Sequence, residues 1–503
     1  MKKNVLLILV LMAAVSSFYS CKKDEPQSPN IVSQFVYDGM SQYYLWADDM
    51  KSIKPTSSDA NPSTYFEKIL SPYDRFSWIT DDVDGLMAEF AGEPKSFGFE
   101  LMVLWKDATK TSIVAYVKYV YPNTPASNAG IVRGNIITKI NGQTITLSNY
   151  ETLFGTSGLT LTVSDQNNLN PKEVAVAPTI IKTNPILYSN IYNIDGHKIA
   201  YLFYTGFIDN YNDSLYEKFD YFKQQGVTDL VLDLRYNHGG AVTAATYLSS
   251  LIAPKTVVQN KAALVKMMYN NNVNEIFKYY YDRATDAQKG SYDRTDFFGE
   301  YDSSSERNPL NANLDLSKVY IIATGDSYSA SELTTFCLKS YMNVVHIGDT
   351  TGGKYLASWT IHPYSEQYGV PIYDSTKLSV SQINTFKKWA MQPIVAKYTN
   401  KDGIDFSNPG FLVPNYVLKE GGGVFSQWKP IGDTRDTYLA QAIYLITGNQ
   451  TYKPVNLAYV KGEKYIGAQK QMVNLPSSVN LKNGSVRLNN VKVPVEIMKG
   501  MFQ

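Results

Sequence analysis

The chain changes its hydrophobic period several times along its length. Val32, Phe35, Val36, Met40 and Tyr43-Tyr44-Leu45 recur at helical spacing, and a second short helix runs over 65–70. Pro55-Thr56-Ser57-Ser58 forms the loop between them, and Asp74-Arg75-Phe76-Ser77-Trp78 a turn out of the second helix. Together these features predict a small helical domain over 31–90. From 91 to 182 short strands and Gly-punctuated turns take over. Between 185 and 450 strands (199–203, 228–234, 319–323, 344–347) alternate with helices (213–225, 241–252, 331–341). That alternation predicts an α/β layered core. Residues 260–312, polar and rich in Tyr, Asn and Asp, read as an insertion into it. Residues 451–503 read as a weakly patterned C-terminal extension.

The first residues carry a pattern of their own. Lys2 and Lys3 precede an unbroken apolar run over 5–15, and Ser16, Ser17, Ser20 and Cys21 follow. The run is too short to span a bilayer as a mature helix, so 1–20 is expected to be a cleaved export signal. Phe18-Tyr19-Ser20-Cys21 resembles a bacterial lipobox, with Phe18 where Leu is usual and a bulky Tyr19. The resemblance implies that Cys21 becomes the lipidated first residue of the mature chain. Residues 21–30 then read as a polar tether. The expected location is the cell envelope, lipid-anchored, in the periplasm or at the outer-membrane surface.

Composition narrows the field further. At 503 residues the chain exceeds what one core organises, and 44% apolar with 18% charged residues is ordinary for folded domains. The formal charge is +1 and no long basic run occurs, so nucleic acid is not an expected partner. The 39 Tyr residues are many for this length, and packing is the first reading of them. With Cys21 acylated, Cys337 is the one cysteine left, so no internal disulfide forms. Cys337 lies in the apolar helical stretch Leu333-Thr334-Thr335-Phe336-Cys337-Leu338 and reads as a buried structural thiol.

Two features of 91–182 resemble a PDZ domain. Phe97-Gly98-Phe99-Glu100-Leu101 matches the loop and strand whose amides hold a peptide's terminal carboxylate, with Phe97, Gly98 and Phe99 as the peptide-binding residues. The run from Thr124 to Gly142, with Asn128-Ala129-Gly130 and Gly134-Asn135-Ile136-Ile137, matches the helix–turn–strand–turn of bacterial PDZ domains, Asn135 standing where Asp is usual. An open sheet edge that adds a peptide strand suits capture of polypeptides.

Three strand-to-helix turns carry the candidate chemistry. Thr324-Gly325-Asp326-Ser327-Tyr328-Ser329-Ala330-Ser331-Glu332 follows the strand 319–323. A serine on a tight turn at a helix N-terminus has an exposed Oγ and nearby free amides, although a capping role is the commoner one for this stretch alone. Gly325 to Ser329 misses the G-x-S-x-G elbow, because Ser replaces the last Gly. Thr351-Gly352-Gly353-Lys354 follows the strand 344–347, where a lysine can reach the serine. Asp233-Leu234-Arg235-Tyr236-Asn237-His238-Gly239-Gly240 is the third, and its paired glycines can present amides to an anion.

Taken together, these stretches resemble the carboxyl-terminal processing (tail-specific) serine peptidases, bacterial lipoproteins with a PDZ-like domain among them. The resemblance implies a multidomain α/β protein: helical N-terminal domain, PDZ-like domain and an α/β, crotonase-like peptidase core. It implies Ser329 as nucleophile, Lys354 (25 residues on) as general base, and an oxyanion hole from Gly239 or Gly240 with Ala330. The family often carries Gln four residues after the lysine; here Ser358 stands there as a possible support. A Ser-Lys dyad needs no histidine, and His197, His238, His346 and His362 show no metal-pair spacing. No zinc, phosphate or dinucleotide motif occurs, and no cofactor is expected. The competing readings are a non-catalytic peptide-binding or a Tyr-rich glycan-binding surface lipoprotein; neither predicts the Ser329 and Lys354 spacing.

Overall fold

Side-chain caps begin the first helices. In a computed structural model of the chain, Asn30 accepts from Val32 N to start α1 (Ile31–Tyr43), and Asn61 accepts from Thr64 N to start α2 (Pro62–Lys68). Strand β1 (Trp78–Thr80) and helix α3 (Val83–Phe90) follow. The structure describes residues 29–50, 53–105, 112–146, 148–155 and 158–454. The expected export signal, Cys21, nearly all of the tether and the extension from 455 onward lie outside the described residues.

The expected helices of 31–90 are present, but they do not form a unit with a core of its own. Phe35, Val36, Met40 and Tyr44 are fully buried in one cluster with Leu232, Trp359, Met391 and Val395. Strand β1 pairs antiparallel with Ala390–Gln392, placing Trp78 opposite Gln392. Periodicity shows that a helix has an apolar face, not which segment covers it.

The PDZ-like region is built differently. Strands β2 (Phe99–Trp105), β3 (Ile113–Val120), β4 (Ile136–Ile140), β5 (Leu159–Ser164) and β6 (Lys172–Val176) lie side by side in chain order, all antiparallel. Their inner faces bury Val117, Ile137, Ile140, Leu161 and Val163 in a separate cluster.

The core runs β7 (Ile186–Ile194), β8 (His197–Tyr204), α4 (Asn212–Gln224), β9 (Asp229–Asp233), α5 (Val242–Ile252), β10 (Ala263–Tyr269) and β11 (Thr295–Phe297). It continues β12 (Lys318–Ala323), α6 (Ala330–Leu338), β13 (Asn343–Gly348), β14 (Leu356–Ser358), β15 (Ile394–Thr399), β16 (Tyr416–Val417) and α7 (Thr437–Thr447). Strands β7-β8-β9-β12-β13-β16 form one sheet, antiparallel at β7/β8 and parallel from β8 onward. Leu230, Val231, Leu232, Ile321 and Ile322 are wholly buried, as expected of parallel strands covered on both faces. Leu439, Ala442 and Ile443 of α7 cover one face; α4, α5 and α6 lie in the cluster on the other.

The segment 260–312 is not an appended insertion. Its strand β10 lies inside a second, antiparallel sheet in the order β11-β10-β15-β14, where Met267 faces Tyr398. A seven-residue strand flanked by polar, Tyr-rich chain gives little hydrophobic contrast, and its pairing partner lies over a hundred residues away.

Candidate active site

Strand β12 ends at Ala323 and the chain turns sharply before α6. Ser329, the residue capping α6, has φ +63° and ψ −121°, a conformation that costs a non-glycine residue roughly 1–3 kcal/mol. Neighbouring groups hold it there. Ser327 Oγ donates to Leu234 O (2.6 Å), Ser331 Oγ donates to Asn237 O (2.8 Å), and Tyr328 N donates to the same Asn237 O (3.3 Å). The serine turn is thereby fastened to the Asn237–Gly240 turn beyond β9.

That second turn requires its glycines. A Cβ on Gly239 (φ +99°) would lie 2.6 Å from Ser329 Cβ and 3.0 Å from Ala330 N; one on Gly240 (φ +139°) would lie 2.1 Å from Phe207 O. Of the three amides expected to face an oxyanion, that of Gly239 is already engaged, donating to Asn237 Oδ1 at 2.8 Å. The Asn237 side chain folds back two residues along its own turn to accept that N–H. Contacts between Phe207 and this turn use Gly239 O and Ala241 N, and leave the Gly240 amide out. Ala330 N belongs to the first residue of α6 and has no acceptor within the helix.

Lys354 is 2% exposed and reaches the same interior. Two buried side chains bind its backbone together with that of Ser329. Glu332 Oε2 accepts from Ser329 N (3.0 Å) and Lys354 N (2.7 Å), so the two amides cannot be farther apart than two hydrogen-bond lengths. Its Oε1 accepts from Gly353 N (2.9 Å) and from the Thr351 hydroxyl. On the carbonyl side Tyr398 Oη of β15 lies 3.1 Å from Ser329 O and 3.0 Å from Lys354 O. Burial pushes the Glu332 carboxyl up, while Thr351 and the three amides oppose it.

Burial also lowers the Lys354 ammonium to about 7, against the opposing pull of Asp74 and then Glu332. Its Nζ lies 5.4 Å from the centre of the Phe76 ring. Ser329 is wholly buried, and its Oγ has no hydrogen-bond partner among the described residues. Both side chains are thus buried, and they are not hydrogen-bonded to each other. Ser358 is buried on β14, opposite Ile394 of β15. His238 stacks on Tyr328, ring centres 4.9 Å apart.

A cavity of about 420 Å³ is lined by Ser96, Phe99, Glu100, His238, Gly239 and Gly240 among others, and so runs from the PDZ-like region to the glycine turn. In the PDZ-like loop Phe97 and Phe99 stack at 5.6 Å, and Gly98 (φ +93°) packs against Thr124 where a Cβ would clash. The Gly98 amide donates to Ser96 Oγ (3.1 Å). The region is docked by buried charges: Lys118 Nζ lies 2.8 Å from Asp326 Oδ2, three residues before Ser329. Arg133 bonds Tyr236 Oη (3.0 Å), Lys429 O (2.9 Å) and Glu420, and Glu420 also meets Arg235. Wholly buried Arg235 is further paired with Asp233 (2.6 Å) and Asp436 (2.8 Å).

Residue patterns missed several of these groups. Glu332 was visible within Ser329-Ala330-Ser331-Glu332 but had no partner in the sequence. Tyr398 and Phe76 carry no local signal, since each meets Lys354 only through the fold.

Comparison with known proteins follows the same division. The model of peptidase family S41 matches residues 198–412, that of the peptidase S41 N-terminal domain residues 32–78, and that of the PDZ domain residues 116–154. A solved structure from Bacteroides fragilis, assigned to the S41 proteases, is 25% identical with a TM-score of 0.60, over 82% of this chain and 97% of its own. The photosystem II D1 C-terminal processing protease is 17% identical with a TM-score of 0.42, over 77% of this chain and 92% of its own. A comparison with curated proteins finds no match.

Proposed function

The chain belongs to peptidase family S41 and is a serine-type endopeptidase, and from that premise we propose that Ser329 is its nucleophile and Lys354 its general base. One observation supports the assignment: Glu332 and Tyr398 each hold the backbones of both residues, and both side chains are buried. A lysine can accept a proton only when neutral, and burial brings Lys354 to about 7, where a large fraction is neutral at physiological pH.

The neutral amine takes the Ser329 proton as Oγ attacks the peptide carbonyl. The amides of Ala330 and Gly240 are the donors best placed for the oxyanion. Collapse expels the new amine terminus, which takes the proton from Lys354, and leaves an acyl-enzyme. Lys354 then deprotonates water for hydrolysis, and Ser329 recovers its proton. The strained φ of Ser329 and the missing partner for its Oγ fit a side chain held ready for attack rather than used as a cap.

Capture of polypeptides by the PDZ-like region, with delivery along the Phe99–Gly240 cavity, completes the reading. A free apolar C-terminus is the expected determinant, so amidated peptides should be cleaved more slowly. Lipid anchoring at Cys21 in the cell envelope rests on the N-terminal pattern, and Cys21→Ser should release the protein from membrane fractions. The decisive test is hydrolysis of unfolded casein by Ser329→Ala and Lys354→Ala, with fluorophosphonate labelling of the wild type. Both variants should be inactive; near-normal turnover by either overturns the dyad.

A further inference from the structure

The turn at 74–77 belongs to the N-terminal segment, yet it reaches the general base. Asp74 Oδ1 accepts from Phe76 N (2.8 Å) and Ser77 N (3.0 Å), and its Oδ2 accepts from Tyr44 Oη (2.7 Å). The turn is pinned from outside as well: Ile394 N donates to Ser77 Oγ (2.8 Å), and Leu45 N donates to Ile394 O (2.8 Å). Ile394 opens β15, the strand that carries Tyr398 to the backbones of Ser329 and Lys354. The turn, the lysine and the serine are therefore held by one strand.

Within this frame the half-buried Phe76 ring is 5.4 Å from Lys354 Nζ. Arg75 approaches the adjacent Gly353, 3.7 Å from where its Cβ would lie. The charged groups acting on the amine are Asp74 from the N-terminal turn and Glu332 from α6, while Arg75 and Tyr398 face the backbone on either side of it.

Building on the dyad proposed above, we infer that Asp74 and Phe76 are positioning residues of the catalytic centre: the Phe76 ring excludes water from the Lys354 amine, and the pinned Asp74 carboxylate supplies the fixed negative charge that acts on it. The two push in opposite directions. The ring's π face attracts the ammonium, but its exclusion of water favours the neutral amine more strongly, whereas a nearby carboxylate favours the ammonium. Of the two carboxylates acting on Lys354, Asp74 has the larger effect, ahead of Glu332. The peptidase core thus borrows part of its base from the segment that precedes the PDZ-like region.

The test is the acidic limb of kcat/KM, measured with a quenched-fluorescent peptide bearing a free apolar C-terminus, which reports the free-enzyme pKa of the base. Asp74→Asn should move that limb to lower pH by roughly one unit, the low end of what a nearby opposite charge contributes. Phe76→Ala, by admitting water, should move it to higher pH by a similar amount, and Phe76→Tyr should restore it. Opposite displacements support the inference, and a displacement by Phe76→Ala with rescue suffices if Asp74→Asn does not fold. Limbs that coincide with wild type, while Lys354→Ala is inactive, overturn the inference and leave the dyad standing. Activity retained by Lys354→Ala overturns the dyad and the inference with it.

Discussion

The helical segment 31–90 buries Phe35, Val36, Met40 and Tyr44 among Leu232, Trp359 and Val395 of the core, whereas the PDZ-like region keeps Val117, Ile137 and Leu161 in a cluster of its own. Their contacts with the catalytic centre differ in kind as well. The first segment joins through strand pairing, apolar burial and the pinned 74–77 turn. The second joins through Lys118 to Asp326 and Arg133 to Glu420, with Tyr121 Oη 3.0 Å from Thr205 Oγ1, and through one aromatic patch where Tyr119 packs on Phe203 and Tyr236. Apolar burial shared over a whole cluster is not separable without exposing that cluster to water. Charge pairs around one aromatic patch expose far less apolar surface on separation, and interdomain interfaces that are small and polar are the ones that move. The first segment therefore shares the core of the peptidase, whereas the PDZ-like region keeps its own core and meets the peptidase across an interface.

Truncating each core should break this comparison if it is wrong. Phe35→Ala is expected to cost about 3–5 kcal/mol and to lower the thermal transition of the peptidase itself. Leu161→Ala, in the PDZ-like cluster, should cost about 2–5 kcal/mol but lower only a separate transition. Calorimetry with active-serine labelling at intermediate temperature reads the difference. A single shared transition in both variants would erase the distinction.

Docking is the next largest effect. Lys118→Met removes one partner of a buried pair, which typically costs about 3 kcal/mol, and should speed fluorophosphonate labelling of Ser329 as the PDZ-like region lifts. Burial acts to raise the Asp326 carboxyl, but Lys118 and then His238 overcome it and hold the group below its ordinary value. A depressed pKa in the docked form means that the pair strengthens docking at neutral pH and that this contribution is lost as pH falls through the docked value. That loss falls below about pH 4, where Lys354 is already protonated and Ser329 unreactive, so limited proteolysis reads it: cleavage between the PDZ-like region and the core should rise there in wild type and not in Lys118→Met.

Smaller effects sharpen the picture around the dyad. Tyr398→Phe removes the hydroxyl shared by the carbonyls of Ser329 and Lys354, worth about 1 kcal/mol, and should lower kcat several-fold with little change in KM. Ser358→Ala should fall below that, because Glu332 and Tyr398 already fix the lysine backbone; a loss matching Lys354→Ala would make Ser358 a full member of the site.

Much of this protein was legible in its residues. Val and Ile runs marked the parallel strands, since a strand buried on both faces cannot be polar, and Gly239-Gly240, Ser329 and Lys354 sat in turns whose spacing matched a known peptidase family. Glu332 was in view as a letter of that motif, but its four donors come from Ser329, Thr351, Gly353 and Lys354, which only folding gathers. The same holds for the edge between segments: helical periodicity in α1 announced an apolar face, and tertiary structure decided that the core would cover it. Strand β10 was masked by polar neighbours, Asn237 turned back onto the Gly239 amide, and Phe76 came to lie over Lys354 from more than 270 residues away. Local sequence determines which groups a turn or helix can offer, because propensity and period act over a few residues. Which groups meet, and so what pKa the base has, is decided by long-range pairing and burial, which no short window of sequence contains.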